Sequence, residues 1–102
     1  MTMQRTVREL SRLQGRVYVY LKDDRTGGAF LSAAEKEGFT FSDGAMPTHR
    51  HYSRVMAVSG DGTVSYVGSV GMAAFGANAP GLLRVDFAEY FKGSEDYFIK
   101  NL

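Results

Sequence analysis

The sequence predicts an α+β domain, in which a single mixed, mostly antiparallel sheet of four or five strands packs against one or two helices. Three observations predict this class. A helical pattern that ends at Gly38 is followed at once by the strand pattern Phe39-Thr40-Phe41, which indicates a β-α-β unit. Gly60-Asp61-Gly62 separates two apolar runs and is typical of a hairpin turn. A chain of 102 residues is the length of one domain, residues 1–102.

The first half of the chain contains two predicted helices and two predicted strands. Residues 2–14 have the periodicity of a short amphipathic helix, with a frayed N-terminal arm as the alternative. Residues 16–21 are apolar on both faces, which indicates a central strand covered by helices on one side and by tyrosine packing on the other. Thr26 is the expected N-cap of a helix that runs to Glu37. Residues 39–41 form a short second strand, and a right-handed crossover follows if it runs parallel to the first.

The second half of the chain contains the hairpin, a third helix and a last strand. In chain order the predictions are an irregular segment over 45–53, hairpin strands over 54–59 and 63–68, a helix over 69–75, a strand over 82–87 and a C-terminal turn and tail over 88–102. Ser69 is the expected cap of the third helix. Val70, Ala73 and Ala74 are its expected inner face.

Composition excludes several classes of protein. The chain has no cysteine, which rules out disulfides, thiolate metal sites and cysteine nucleophiles and fits a reducing cytoplasm. A net charge of +1 is small for a protein held on nucleic acid by long-range charge. No run approaches the ~18 consecutive apolar residues of a membrane-spanning helix. Residues 1–14 also lack the apolar core of a secretory signal.

The densest polar cluster lies between the second strand and the hairpin and provides the candidate binding residues. They are Asp43, Thr48, His49, Arg50, His51 and Arg54, with Ser69 added from the start of the third helix. Arginine and histidine side chains together favour an anionic ligand. Two histidines two residues apart suit a metal only with a third ligand, from Asp43 or a more distant acid, so no metal site is assigned. A solvated loop is the simplest alternative.

Two further polar segments have structural explanations. Gly68–Gly71 opens the third helix, where backbone N–H groups can hold phosphate. The segment lacks the lysine and the spacing of a P-loop, and close packing of the helix on the hairpin explains its glycines better. Asp23, Asp24 and Arg25 follow the first strand and fit turn and capping chemistry. No Ser-His-Asp arrangement is recognisable, so no catalytic residue and no cofactor is assigned.

The tyrosines of the first strand allow a second hypothesis. Tyr18 and Tyr20 share one face of the strand and, with Arg16 and the N-terminal arginines, resemble a stacking platform for bases. The signature motifs of sheet-face RNA binders are absent, so a covered or dimer-forming face is the favoured interpretation. A face left exposed would instead mark a partner surface.

Four pieces of the chain occur in an order that resembles a group of small uncharacterised proteins carried by phages, prophages and mobile elements of gut Firmicutes. They are Arg16–Tyr20, Ala33–Gly44, Gly62–Gly68 and Leu83–Phe87. The resemblance spans about residues 15–98 and carries no catalytic residues. It implies the cytoplasm of a bacterial host and an accessory role. Such proteins often antagonise host defence, by masking a nuclease or by sequestering a signalling nucleotide.

Together these inferences predict a non-enzymatic binding protein that acts against a bacterial defence system. Its partner is a host defence protein or a small anionic, nucleotide-type ligand, held by residues 43–54 and the helix start at Ser69. A small nucleic-acid-binding module is the alternative, and nucleic acid is the less favoured partner. An enzyme acting on nucleotides, dependent on a metal or on histidine, comes third. The two edges of an open sheet also leave room for a homodimer.

Overall fold

Five strands and four helices follow one another in the computed structural model, which describes residues 5–100. The strands are β1 (Arg16–Tyr20), β2 (Thr40–Phe41), β3 (Val55–Val58), β4 (Thr63–Tyr66) and β5 (Leu82–Asp86). The helices are α1 (Val7–Ser11), α2 (Asp24–Lys36), α3 (Gly68–Ala77) and α4 (Phe87–Lys92), and a 3-10 turn spans Pro47–His49. The predicted α+β class with a mixed sheet is confirmed. None of the helices within this range is long and apolar enough to cross a membrane.

The strands form one sheet in the order β2-β4-β3-β1-β5. The β3–β4 hairpin is antiparallel, and β3 also runs antiparallel to β1. β5 pairs with β1 in parallel, and β2 pairs with β4 in parallel. β1 and β2 therefore point the same way but are separated by two strands. The β-α-β unit indicated by the sequence joins two parallel strands that are not neighbours.

One face of the sheet forms the main core together with α1, α2 and α4. Val17 and Val19 of β1 are buried on this face. The ring of Phe30 in α2 meets the ring of Phe87 edge-on, with 5.1 Å between the centroids. Burying a side chain of this kind contributes about 1.5–3 kcal/mol, so a few such contacts hold α2 and α4 on the sheet.

The opposite face of β1 lies under α3. The rings of Tyr20 and Phe75 stack with 6.2 Å between their centroids. The backbone of Gly71 comes so close to β1 that a Cβ atom there would lie 3.4 Å from the hydroxyl oxygen of Tyr18. The favoured interpretation of the tyrosine face, a covered one, is confirmed. Arg84 of β5 pairs with Tyr18 in the parallel register and is also buried on this side.

The starts of the first two helices differ from the prediction. The predicted cap of α2, Thr26, is wrong: the carboxylate of Asp23 is the cap and accepts a hydrogen bond of 2.8 Å from the backbone N–H of Thr26. α1 is shorter than the predicted residues 2–14 and is capped by Thr6. Residues 2–4 of that prediction lie outside the described residues. The predicted capping chemistry after the first strand is thus confirmed for Asp23.

The assignment of α3 was wrong in its cap and in the phase of its faces. α3 begins at Gly68, and no side chain caps it, so Ser69 lies inside the first turn. Val70, expected inside, is 83% exposed. Gly71 and Phe75 are the buried residues instead, because the stacking of Phe75 on Tyr20 fixes how the helix is rotated and the missing side chain of Gly71 lets the backbone approach.

The C-terminal segment is more ordered than a turn and tail. Asp86 caps α4 with a bond of 3.3 Å from the N–H of Glu89. The chain then returns along β5: the N–H of Asp86 donates to the carbonyl of Tyr97 (2.8 Å), and the N–H of Ile99 donates to the carbonyl of Arg84 (2.8 Å). This segment therefore covers the outer edge of β5. Residues 101–102 of the predicted tail lie outside the described residues.

The cap of α2 leads to a prediction about pH. The hydrogen bonds from Thr26 hold the pKa of the Asp23 carboxyl below its ordinary value of 3.8. A lowered pKa in the folded state means that the cap stabilises the fold above that value and stops doing so as the pH falls through the lower, folded pKa. We expect Asp23→Ala to lower the Tm by a few degrees at pH 7 and to lower it by less at pH 2, below the ordinary pKa of 3.8. Thermal unfolding followed by circular dichroism measures this.

The matched control for the cap is Glu95→Ala, which removes an exposed carboxylate outside the helices. It should leave the Tm nearly unchanged at both pH values. A Tm difference for Asp23→Ala that is equal at pH 7 and pH 2 would contradict the assigned role of the ionised carboxylate.

Candidate functional site

The polar segment 43–54 leaves β2, passes through the 3-10 turn and enters β3, and two of its charges are paired with each other. The guanidinium of Arg50 lies 2.5 Å from the carboxylate of Asp43 and 4.7 Å from the centroid of the Phe41 ring. The Arg50 hydrogen bond, with a second from the N–H of Ala45, holds the pKa of the Asp43 carboxyl below its ordinary value. Arg50 is therefore largely neutralised as an anion-binding group, although an exposed pair of this kind adds little stability.

Thr48 anchors the same segment to α2. Its hydroxyl and its backbone N–H donate to one carboxylate oxygen of Glu35, at 2.6 Å and 3.1 Å. These two bonds hold the pKa of the Glu35 carboxyl below its ordinary value, and the bond from the hydroxyl has the larger effect. Nearby, Tyr52 donates its hydroxyl to the carboxylate of Asp24 at 2.6 Å. Thr48 and Tyr52 thus hold the segment in shape against α2.

The remaining predicted residues of the segment point to solvent. His49, His51 and Arg54 are exposed, and their side chains form no hydrogen bond or ion pair within residues 5–100. Across the same range, no three acidic or histidine side chains come close enough together to hold a metal ion. The histidine pair therefore lacks the third ligand that a metal would need. Three free basic or titratable side chains remain for a partner.

Tyr66 connects this segment with the start of α3. Its hydroxyl donates to the carbonyl of His51 at 2.6 Å, and its ring remains 46% exposed. Ser69 follows Tyr66 by three residues, so their Cα atoms are at most about 11 Å apart. In the β3–β4 register Met56 pairs with Tyr66. Arg54 lies two residues before Met56, just ahead of the strand that pairs with β4.

The outer face of α3 is apolar and uncovered. The helix contains no charged residue, and Val70 and Met72 are 83% and 40% exposed. A helix that is apolar all round is typical of a buried element, yet only the side with Gly71 and Phe75 is covered here. We call this face and its basic neighbours the α3 surface, formed by His51, Arg54, Tyr66, Ser69, Val70 and Met72.

Sequence reasoning included three residues of the α3 surface, His51, Arg54 and Ser69, and missed its apolar centre. Val70 was missed because it was assigned to the inner face of the helix. The available signal was the absence of any charge over residues 68–77, since a helix lying on a sheet normally carries a polar outer face. The glycines at the helix start differ from each other: a Cβ atom at Gly71 would lie 2.5 Å from Cβ of Val67, just before the helix, whereas one at Gly68 would meet nothing within 4 Å. Gly71 therefore has a packing role, although against Val67 and β1 rather than against the β3–β4 hairpin.

Most of the surface that the base-stacking hypothesis requires is covered in the structure. α3 covers the tyrosine face, and the ring of Tyr20 stacks on Phe75. Tyr18 still lines a concavity of ≈ 340 Å³, with Arg16 among the other lining residues. One ring beside one arginine is a smaller platform than the several stacked rings of typical single-strand binders.

Comparisons of this chain with models of known protein families, with curated proteins and with solved structures find no match. The resemblance to phage and mobile-element proteins therefore stays a prediction.

Proposed function

We propose that this protein is a non-enzymatic binding protein that covers an acidic, partly apolar surface of a protein partner with its α3 surface. The observation that supports this most directly is Val70, which is 83% exposed on a helix without charges. Fully burying a valine side chain contributes about 1.5–3 kcal/mol, so a partner that covered Val70 and its neighbours would gain binding energy from them.

The surroundings of Val70 have the composition of a protein interface. Such interfaces have an apolar centre with a polar rim, and tyrosine, methionine and arginine are enriched in them. Here Tyr66, Val70 and Met72 provide exposed apolar area within seven consecutive residues. His51 and Arg54 add exposed basic side chains from the segment that accepts the Tyr66 hydroxyl. Basic groups favour a partner with acidic side chains around its own apolar patch.

A protein partner is better supported than a small anion. Of the polar groups expected to hold an anion, Arg50 is paired with Asp43 and Thr48 is bonded to Glu35. An anion at Arg50 would have to displace a carboxylate at 2.5 Å, whereas a protein partner can use the exposed α3 surface as it stands.

The resemblance to phage and mobile-element proteins suggests what the partner is. We take it to be a bacterial defence protein, which the chain would block in the host cytoplasm by covering a surface that the defence protein needs. This part of the proposal has its support in the resemblance alone, while the binding surface has its support in the exposed helix.

The proposal is tested with the double variant Val70→Glu, Arg54→Glu. Both side chains are exposed, so we expect the Tm to stay nearly the same. A buried glutamate in the centre and an inverted charge at the rim should lower the affinity for the partner by at least about tenfold, equivalent to 1.4 kcal/mol. Affinity capture from bacterial lysate, with quantitative mass spectrometry, measures the loss of the partner relative to the wild-type chain.

The matched control is Gln14→Glu, Arg16→Glu, which changes the net charge equally at two exposed positions at the start of β1, the end away from Arg54. It should retain the partner. Recovery of the same partner by the folded α3 variant, or equal loss in both variants, would refute the assignment of the α3 surface.

A further inference from the structure

A second surface lies on the other side of the sheet, where a groove runs between α2 and α4. It consists of two concavities of ≈ 400 and ≈ 170 Å³, which share Ala29 and Phe91 in their linings. On α2 the linings follow one stripe, from Arg25 through Ala29 and Ala33 to Lys36, at the spacing of successive helical turns. The two concavities are therefore parts of one elongated groove.

The floor of the groove is apolar and shallow. Ala29 and Ala33 of α2 are partly exposed and small, and Phe91 of α4 forms the opposite wall. Phe91 is held in place by stacking on Phe87, with 5.1 Å between the ring centroids. The small side chains of Ala29 and Ala33 allow a partner helix to approach α2 closely, since the distance between packed helices depends on the side chains at the contact.

The rim of the groove is basic. Arg25 and Lys36 are exposed and form no ion pair within residues 5–100, whereas Lys92, also exposed, is paired with Glu89 at 3.1 Å. The acidic residue in the lining, Glu37, is already engaged.

Both carboxylate oxygens of Glu37 accept backbone N–H groups at the start of α1, from Val7 and Arg8, at 2.8 Å each. Arg5 also lines the groove, but its guanidinium donates to the carbonyl of Ser94 and lies over the rings of Tyr90 and Tyr97. The charges left facing the groove are predominantly positive, although the chain as a whole carries only +1.

The length of the groove suits a helix. Arg25 and Lys36 are eleven positions apart on α2, which corresponds to about 16 Å at 1.5 Å per residue. Three turns of a partner helix span the same distance. A helix that lies in a groove presents apolar side chains at positions i, i+3, i+4 and i+7 to the floor, which leaves its other faces for contact with the rim.

We infer that this groove binds an acidic amphipathic helix of a protein partner. Its apolar side chains would cover Ala29, Ala33 and Phe91, and its carboxylates would face Arg25, Lys36 and Lys92. The groove and the α3 surface share no residue and lie on opposite sides of the sheet. The inference is therefore independent of the proposed function, and one chain would be able to hold two partners.

The probe is a fluorescein-labelled synthetic peptide of 14 residues with leucine at the i, i+3, i+4 and i+7 positions and glutamate and alanine elsewhere. A second peptide replaces each glutamate with lysine. Fluorescence anisotropy should show binding of the glutamate peptide to the full-length wild-type chain in the micromolar range. The lysine peptide should bind at least about tenfold more weakly because its charges repel the rim.

The groove variant is Arg25→Glu, Lys36→Glu, Lys92→Glu. All three positions are exposed, so the fold should persist, and we expect the preference to reverse in favour of the lysine peptide. The control variant Arg12→Glu, Arg16→Glu, Lys100→Glu carries the same change in charge away from both surfaces and should still prefer the glutamate peptide.

Two results would overturn the inference: no binding of the glutamate peptide to the wild-type chain, or an equal change of preference in the groove and control variants. An equal change in both variants would show that the peptide is attracted only by the net charge of the protein. The variant Val70→Glu, Arg54→Glu should keep its preference for the glutamate peptide, so a failure of the groove and a failure of the α3 surface are distinguishable.

Discussion

Replacing Gly27 with alanine is expected to destabilise the fold by about 2–3 kcal/mol, although alanine is the better helix former. A Cβ atom at Gly27 would lie 2.3 Å from Cγ of Tyr52 and 2.5 Å from each Cδ atom. These atoms belong to the root of the ring, which cannot swing aside while the Tyr52 hydroxyl stays bonded to Asp24 at 2.6 Å. The ring would have to leave α2, and with it the segment that leads into β3.

The next residue supplies the matched control. Gly28 occupies the same helical turn, and a Cβ atom there would meet no other atom within 4 Å. Gly28→Ala should therefore stabilise the fold by about 1 kcal/mol through helix propensity alone. Urea unfolding of both variants measures the free energies. Equal changes at the two positions would show that the contact between Gly27 and Tyr52 does not constrain the fold.

Replacing Arg84 with methionine is expected to cost about 3 kcal/mol or more of stability. The side chain is 4% exposed, and its guanidinium lies 5.7 Å from the centroid of the Phe75 ring. Nη1 donates to the carbonyl of Phe75 at 3.1 Å, and Nη2 donates to the carbonyls of Ile99 and Lys100 at 3.1 and 3.2 Å. Methionine fills much of the volume but leaves these acceptors without a donor.

Arg84 joins α3, β5 and the C-terminal segment, so its loss should also have a local signature. We expect faster hydrogen exchange at the backbone N–H of Ile99, which pairs with the carbonyl of Arg84. The control Arg16→Met makes the same substitution at an exposed position of β1 and should change stability by less than about 0.5 kcal/mol. A folded Arg84→Met protein with unchanged stability and exchange would contradict this role.

The parts of the fold that were predictable from the sequence are those set by neighbouring residues. The hairpin was predicted because Asp61 and Gly62 suit its turn: the Asp61 carboxylate accepts the N–H of Thr63 at 3.1 Å, and Gly62 has φ of 89°. The central place of β1 was predictable because both of its faces are apolar. In the structure β3 and β5 flank it, and helices cover both faces.

The remaining features depend on residues far apart in the chain. No local pattern shows that β5 pairs with β1 or that β2 lies at the sheet edge beyond β4. The rotation of α3 was missed for the same reason, because Phe75 finds its stacking partner, Tyr20, in a different part of the chain.

In the candidate site, too, features set by neighbouring residues were predictable and features set by distant residues were not. The basic character of segment 43–54 was evident from composition, and so was the exposure of Arg54. That Arg50 is paired with Asp43, and that Thr48 is hydrogen-bonded to Glu35, depends on how the turn folds back. The groove could not be expected either, since one of its walls, α4, lies in a stretch interpreted as a turn and tail.

The parallel pairing of β1 with β5 has a consequence for how the chain is made. The β3–β4 hairpin closes a short loop, and contacts of this kind form on a microsecond timescale. β1 is synthesised before the hairpin, but its parallel neighbour, β5, is synthesised only near the end of the chain. Contacts of such high contact order form slowly. Until β5 arrives, β1 exposes an unpaired, apolar edge, so nascent or refolding chains are most prone to self-association at this strand.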